Sequence, residues 1–182
     1  MDEENPKYND QEIQIRDATK DDMEAVAEMT QELANYQNMP DGPKLSVQEL
    51  QCAGFDQKAF RCKIAELTNK SAPKQVVGYA MYFPTYSSWE GRSVMLQDLY
   101  VRSSERRRGI GERLFNAVAK EASSTGCSRL DFYVLEWNPA RKFYEGKGAV
   151  NMTKSEQACV YRLRGEALQN AAMEAEDEVL QS

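Results

Sequence analysis

The chain has 182 residues, 41% hydrophobic and 29% charged, with 23 Lys and Arg against 29 Asp and Glu and a formal net charge of −6. That length and balance suit one domain with a sizeable core and exclude a disordered chain; the acidic surplus excludes a general pull on nucleic acid or anionic membrane and favours cationic partners such as amines. There is no histidine, which removes the usual general base, the Ser-His and Cys-His nucleophile systems and the commonest metal ligand.

Residues 1–11 read as a flexible polar lead, since Met1 to Tyr8 carries no apolar signal core, and no later run approaches the ~18 apolar residues of a membrane span. A cytoplasmic protein is expected. Glu12 to Arg16 alternates polar and apolar residues and predicts a first strand. Thr19 with Asp22 forms a capping-box pattern ahead of a helix to Tyr36, whose apolar face is Met23, Val26, Met29, Leu33 and Tyr36. Pro40 to Pro43 is a turn cluster, and Ser46 with Glu49 caps a short helix ending near Gly54.

Phe60 to Leu67 and Val76 to Phe83 predict a hairpin around a loop, Thr68 to Lys74. A second loop, Thr85 to Arg92, holds Tyr86 and Trp89. Ser93 to Val101 predicts the next strand. Gly109 to Thr125 predicts a helix that buries Ile110, Leu114, Val118 and Ala122, and Leu130 to Leu135 a strand. Asn138 with Pro139 at the first helical position starts a short helix that Gly146 or Gly148 ends. Ala158 to Leu163 predicts a last strand, and residues 165–182 an acidic tail, helical or frayed. The order implies one α/β (α+β) domain over 12–164, with an antiparallel half leading into a β-α-β half. Cys52, Cys62, Cys127 and Cys159 fit no zinc or redox spacing and read as free thiols, with no metal site.

The chemistry concentrates between Gln97 and Arg113, where a strand, a basic turn, two glycines and a helix start follow one another. A helix start presents unpaired N–H groups and a positive dipole end, which suit phosphate. Gly109 and Gly111 permit close approach, and Arg106, Arg107 and Arg108 add fixed positive charge. A pyrophosphate is the natural ligand, although the same residues also suit an exposed basic turn before an ordinary helix. Neither a Walker A loop nor the dinucleotide G-x-G-x-x-G pattern is present.

Arg106-x-x-Gly109-x-Gly111 after Leu99-Tyr100-Val101 resembles the acetyl-CoA motif of the GNAT superfamily of N-acetyltransferases. Val77 to Phe83, Thr85-Tyr86 with Trp89, Trp137-Asn138, Phe143-Tyr144 with Gly148-Ala149, and Glu32-Leu33-Ala34 with Tyr36 resemble its spermidine/spermine (diamine) acetyltransferase family, over about Ile13 to Arg164. The resemblance implies a mostly antiparallel mixed sheet flanked by helices. It implies acetyl-CoA as co-substrate, held by Leu99, Tyr100 and Val101 along its pantetheine arm, by Arg106, Arg107, Arg108, Gly109, Ile110, Gly111 and Glu112 at the pyrophosphate, and by Asn138. Tyr144 matches the family's general acid, and a phenol near pKa ~10 can serve a thiolate near ~8.5. Tyr36, Gln37, Trp89 and Gln97 match the amine side. A homodimer with sites drawing on both subunits is implied as well.

The departures bear on the substrate. Gln97 stands where the family has the glutamate that deprotonates the amine through water; a glutamine can orient a water but takes no proton near pH 7. Asp98 is adjacent, but strand alternation sends it to the other face unless a bulge intervenes. Gln37 and Ser87 replace two further family acids. The loss of three carboxylates disfavours a long polycation and favours a small diamine or an amino-acid side-chain amine. Trp137-Asn138 and Tyr144 stand one residue closer than in the family. The alternatives are a catalytically weakened acetyl-CoA-binding module and an acetyltransferase acting on protein amines. A nucleic-acid role is disfavoured, because three arginines in an acidic chain leave a weak footprint.

Overall fold

Ile13 and Ile15 alternate with polar neighbours to build β1 (Gln11–Asp17), which pairs antiparallel with β2 (Arg61–Asn69). β3 (Ala72–Ser87) and β4 (Gly91–Val101) continue the meander, and β5 (Arg129–Phe132) joins β4 in parallel, giving the order β1-β2-β3-β4-β5. The computed structural model describes residues 11–69, 72–157 and 159–180; the expected lead and Ala158 lie outside them, apart from Gln11, which is already strand. The chain divides into two compact units, Met1–Tyr133 and Val134–Ser182.

In the first unit a 3-10 turn, Lys20–Asp22, leads into α1 (Met23–Tyr36), which buries Met23, Val26 and Met29 against Ile64, Tyr79, Met81 and Tyr100 on one face of the sheet. Ser46 accepts from the Glu49 N–H, and Glu49 reaches back to the Ser46 N–H at 2.8 Å. That reciprocal cap starts α2 (Val47–Gln51), which continues as a π-helical turn to Asp56, slightly past the expected end. On the opposite face α3 (Ile110–Ser124) buries Ile110, Leu114, Val118 and Ala122, as their spacing predicts. Its Glu121 accepts from Tyr82 of β3 and pairs with Lys63 of β2, each at 2.7 Å. A Cβ at Gly78 would stand 2.9 Å from the Tyr100 carbonyl oxygen and 3.2 Å from Leu114 Cδ1, so glycine there lets β3, β4 and α3 close up.

Both predicted loops shrink. β2 runs to Asn69 and β3 starts at Ala72, each opposite the other, and the span around Tyr86 and Trp89 is strand up to Ser87, with only the turn before Gly91 left over. Thr85 reads as loop in sequence but pairs across strands with Ser93, their hydroxyls 2.8 Å apart.

Arg16 of β1 grips Asp22 through two hydrogen bonds, 2.7 and 2.8 Å, and reaches Glu66 of β2 at 2.7 Å. Burial alone would push the Asp22 carboxyl up, but Arg16 and the Thr19 donors outweigh it and hold it at about 2. Burial opposes Glu121 likewise, and Lys63, Tyr82 and Arg61 bring it to about 2. Unfolded carboxyls titrate near ~4. Both groups therefore contribute stability that is present above about pH 4 and lost as pH falls towards 2. Urea midpoints are expected to hold steady down to about pH 5 and then drop, less steeply in Asp22→Asn. A midpoint unchanged to about pH 2.5 would count against this linkage.

The described part of the second unit is helical: α4 (Arg141–Gly146), α5 (Met152–Ser155) and α6 (Glu166–Leu180). α4 starts two residues later than expected, because Asn138 Oδ1 accepts the Ala140 N–H at 2.9 Å and makes a turn that holds Pro139 ahead of the helix. Gly148 takes the left-handed conformation just after it. The expected last strand does not form. Residues 159–163 adopt no regular structure and Val160, Tyr161 and Leu163 are exposed. A run of strand formers needs a neighbouring strand, and the described residues of this unit supply none. No helix among the described residues is long and apolar enough to cross a membrane.

Candidate active site

β4 delivers the chain to the glycine turn. After Val101 a 3-10 turn, Ser103–Glu105, leads to Arg106, then Arg107 at φ 62° and Gly109 at φ 74°, the residue that caps α3. Two residues of positive φ, with one residue between them, lead into the start of a 15-residue helix, where unpaired N–H groups suit an anion. Among the described residues nothing crowds Gly109 or Gly111. A Cβ at Gly109 would meet no atom within 4 Å, and one at Gly111 would make only an ordinary 3.7 Å contact with Val101. Both glycines thus open onto space that the described residues leave empty.

The three arginines divide their roles. Arg106 donates from Nε to the Val101 carbonyl at 3.0 Å and lies over the rings of Tyr36 and Tyr100, 5.2 and 5.4 Å from their centroids. It ties the turn to α1 and β4 by cation–π contact. Arg108 pairs with Glu105. Arg107 is exposed on the loop.

Leu99, Tyr100 and Val101 lie along an open edge. β5 pairs β4 only from Ser93 to Leu96, while β3 pairs the other edge of β4 through Val101. The β5 side of Gln97 to Val101 thus presents backbone groups with no strand partner among the described residues. Backbone donors and acceptors on such an edge can pair with an extended arm that carries amides.

The strand bends at Gln97. Asp98 opposes Met81 and Leu96 opposes Tyr82, so one extra residue, Gln97, bulges out of β4. Leu96 and Leu99, opposite Tyr82 and Ala80, lie on the α3 side; Asp98 and Tyr100, opposite Met81 and Tyr79, lie on the α1 side. Alternation from Leu96 puts Gln97 on the α1 side too. The bulge that the simple alternation lacked does intervene, and Gln97 and Asp98 share a face. The signal was in the sequence: two adjacent polar residues between Leu96 and Leu99, which can face the same way only if a residue is inserted. Gln97 is exposed, whereas Asp98 is half-buried, with the Tyr79 hydroxyl as its hydrogen-bond partner and Thr30 Oγ1 3.0 Å beyond. Burial raises the Asp98 carboxyl above its ordinary value.

Tyr36 and Gln37 close α1 beside this end of the sheet, with Tyr36 stacked on Arg106. Sequence reading also missed Arg102, which pairs with Glu32 at 2.5 Å and Glu28 at 2.8 Å, while Tyr100 donates to Glu32 at 3.0 Å. A contact across 70 positions leaves no local signal. Trp89 is not brought to the bulge of its own chain. It is almost fully exposed at the β3–β4 turn, and Gly91 to Gln97 spans about 20 Å of strand.

In the second unit Tyr144 sits on α4 with its ring edge-on to Phe143, the centroids 5.1 Å apart. Burial pushes its hydroxyl up to about 12. Asn138 holds the turn before that helix.

Residues 24–148 match the model of the acetyltransferase (GNAT) family. A thialysine N-epsilon-acetyltransferase of Bos taurus is 36% identical over 165 residues, spanning 88% of this chain and 97% of its own. The spermidine/spermine N(1)-acetyltransferase-like protein 1 of Homo sapiens is 34% identical over 166 residues, 89% of this chain and 24% of that protein. Among solved structures, an integron cassette protein from the mobile metagenome of V. cholerae aligns with a TM-score of 0.67 and 26% identity, covering 88% of this chain and 97% of its own.

Proposed function

The chain belongs to the GNAT acetyltransferase family, and from that premise we propose that it transfers the acetyl group of acetyl-CoA to a primary amine of a small molecule, a diamine or an amino-acid side-chain amine. The observation that carries this reading is the meeting of three features in one stretch of chain: an uncrowded glycine turn, an open strand edge and a bulge. Laid against that stretch, acetyl-CoA sets its pyrophosphate on the turn at Arg106 to Glu112 and its pantetheine arm along Leu99 to Val101. Its thioester then points to the bulge. By resemblance to the family, Asn138 is a further cofactor contact and Tyr144 the acid for the departing thiolate.

The amine side favours modest charge. Gln37, Ser87 and Gln97 are neutral, and the Glu28 and Glu32 carboxylates are engaged by Arg102. A long polyamine finds few acids to pair with, whereas one amine beside one carboxyl is well served. The relative from Bos taurus is named for the N-epsilon amine of thialysine, which is of this size. Tyr36 and Gln37 border the amine from α1. Trp89 lies too far along its own hairpin, so its part in the site requires a homodimer in which the turn of one protomer reaches the bulge of its partner. A cytoplasmic protein, where acetyl-CoA is made available, completes the proposal.

Thiol release from acetyl-CoA tests the reading directly, over lysine, thialysine, ornithine, putrescine, spermidine and spermine. Side-chain amines and short diamines are expected to exceed spermidine and spermine in kcat/KM. No turnover of any amine, even at about pH 9 where more of each is neutral, would defeat it.

A further inference from the structure

If the amine is to attack, it must first lose a proton, and Gln97 cannot accept one. The exposed bulge residue is therefore the wrong group, and the question becomes which acceptor shares its face. Register answers it: Asp98 opposes Met81 and Gln97 is the residue inserted beside it, so alternation puts both on the α1 side of the sheet. The strand thus carries a carboxyl one residue along from the glutamine, brought round by the inserted residue.

Resting on the transferase reading above, we propose that Asp98 is the general base of this enzyme, taking the proton of the substrate ammonium through a water that the exposed Gln97 amide orients. The balance is simple. The ammonium gives one proton through the water to the Asp98 carboxylate, and the neutral amine attacks the thioester carbonyl. The carbon–sulfur bond breaks as Tyr144 protonates the thiolate, the amide nitrogen sheds its second proton, which restores the phenol, and Asp98 returns its own proton to solvent.

The surroundings of Asp98 suit the role. The titratable groups that face it are Tyr79 of β3 and, through space, Cys62 of β2; α1 presents the Thr30 hydroxyl to Tyr79 at 3.0 Å. None of the ion pairs among the described residues involves Asp98. An aspartate clamped by a guanidinium, as Asp22 is by Arg16, titrates too low to hold a proton from an amine. Asp98 differs in kind: burial raises it, and one phenol hydroxyl steadies its charged form. A base is most effective when its pKa lies closer to the working pH.

The experiment is a kcat/KM profile over about pH 6 to 10 for an amine the wild type acetylates, with acetyl-CoA affinity measured by calorimetry on each variant. Asp98→Asn is expected to cut kcat about 100-fold or more near neutral pH while binding acetyl-CoA as the wild type does. Its rate should recover as pH nears the amine's own pKa of about 10, because the substrate then arrives neutral. Tyr79→Phe keeps the carboxyl but removes the donor that favours its charged form, so the acid limb should move to higher pH. A folded Asp98→Asn with kcat within about threefold of wild type and the same acid limb overturns the proposal. If Asp98→Asn does not fold, an unmoved limb in Tyr79→Phe overturns it instead. Turnover by the wild type together with either result sinks the base alone; a wild type that binds acetyl-CoA and acetylates nothing sinks the transferase reading and the base with it.

Discussion

Gly111→Ala is expected to give a protein that is slightly more stable and binds acetyl-CoA about 10- to 100-fold more weakly. The two signs have separate causes. Gly111 is the second residue of α3, and an added Cβ meets only Val101 Cγ2, at an ordinary 3.7 Å. The fold has room for the methyl, and alanine in a helix is favoured over glycine by up to about 1 kcal/mol. For a chain of this size that is a rise of roughly 2–4 °C in Tm. The cofactor has no such room on the proposed pose. Helical Cα–Cβ bonds lean towards the N-terminus, so the methyl projects into the space in front of the turn, where the pyrophosphate sits. Losing one charge-assisted hydrogen bond costs about 1.5–3 kcal/mol, which is the stated loss of affinity. Calorimetry with acetyl-CoA and a thermal melt read both quantities. A variant that binds as tightly as wild type would show that the turn does not hold the pyrophosphate.

Helices α1 and α3 and all five strands were legible from their patterning. Met23, Val26 and Met29, and Ile110, Leu114, Val118 and Ala122, mark the faces that the sheet buries. The glycine turn was legible for a related reason: its conformation is local, and Gly109 at φ 74° needs no distant partner. What escaped depends on partners. Residues 159–163 have strand formers but no strand beside them. Arg106 reads as a phosphate ligand in sequence, yet its guanidinium stacks on Tyr36 and Tyr100, which lie 70 and 6 positions away. The bulge sits between these cases. Its pair of polar residues is visible in sequence, but which of them faces the amine follows only from register with Met81 and Tyr82.

The bulge supplies a base for the first half of the proposed reaction, and Tyr144→Phe probes the second. Tyr144 packs its ring edge-on to Phe143, and phenylalanine keeps that contact while deleting the hydroxyl. The buried hydroxyl, pushed up to about 12, stays protonated across the working range, so it enters the reaction as an acid. That elevation also makes it a reluctant one. A thiol titrates near ~8.5, so complete transfer to a free thiolate runs uphill by about 5 kcal/mol. A turnover of ~10 per second corresponds to a barrier near 16 kcal/mol, which leaves room for such a step. The transfer is best matched to the moment when the carbon–sulfur bond breaks and the sulfur is most basic. Tyr144→Phe is therefore expected to lower kcat by roughly 10²–10⁴ with acetyl-CoA affinity unchanged. The deficit should shrink for an acetyl thioester with a more acidic leaving thiol, since that sulfur departs without help. A variant with full kcat, or an equal deficit for both thioesters, would remove Tyr144 from the proton path.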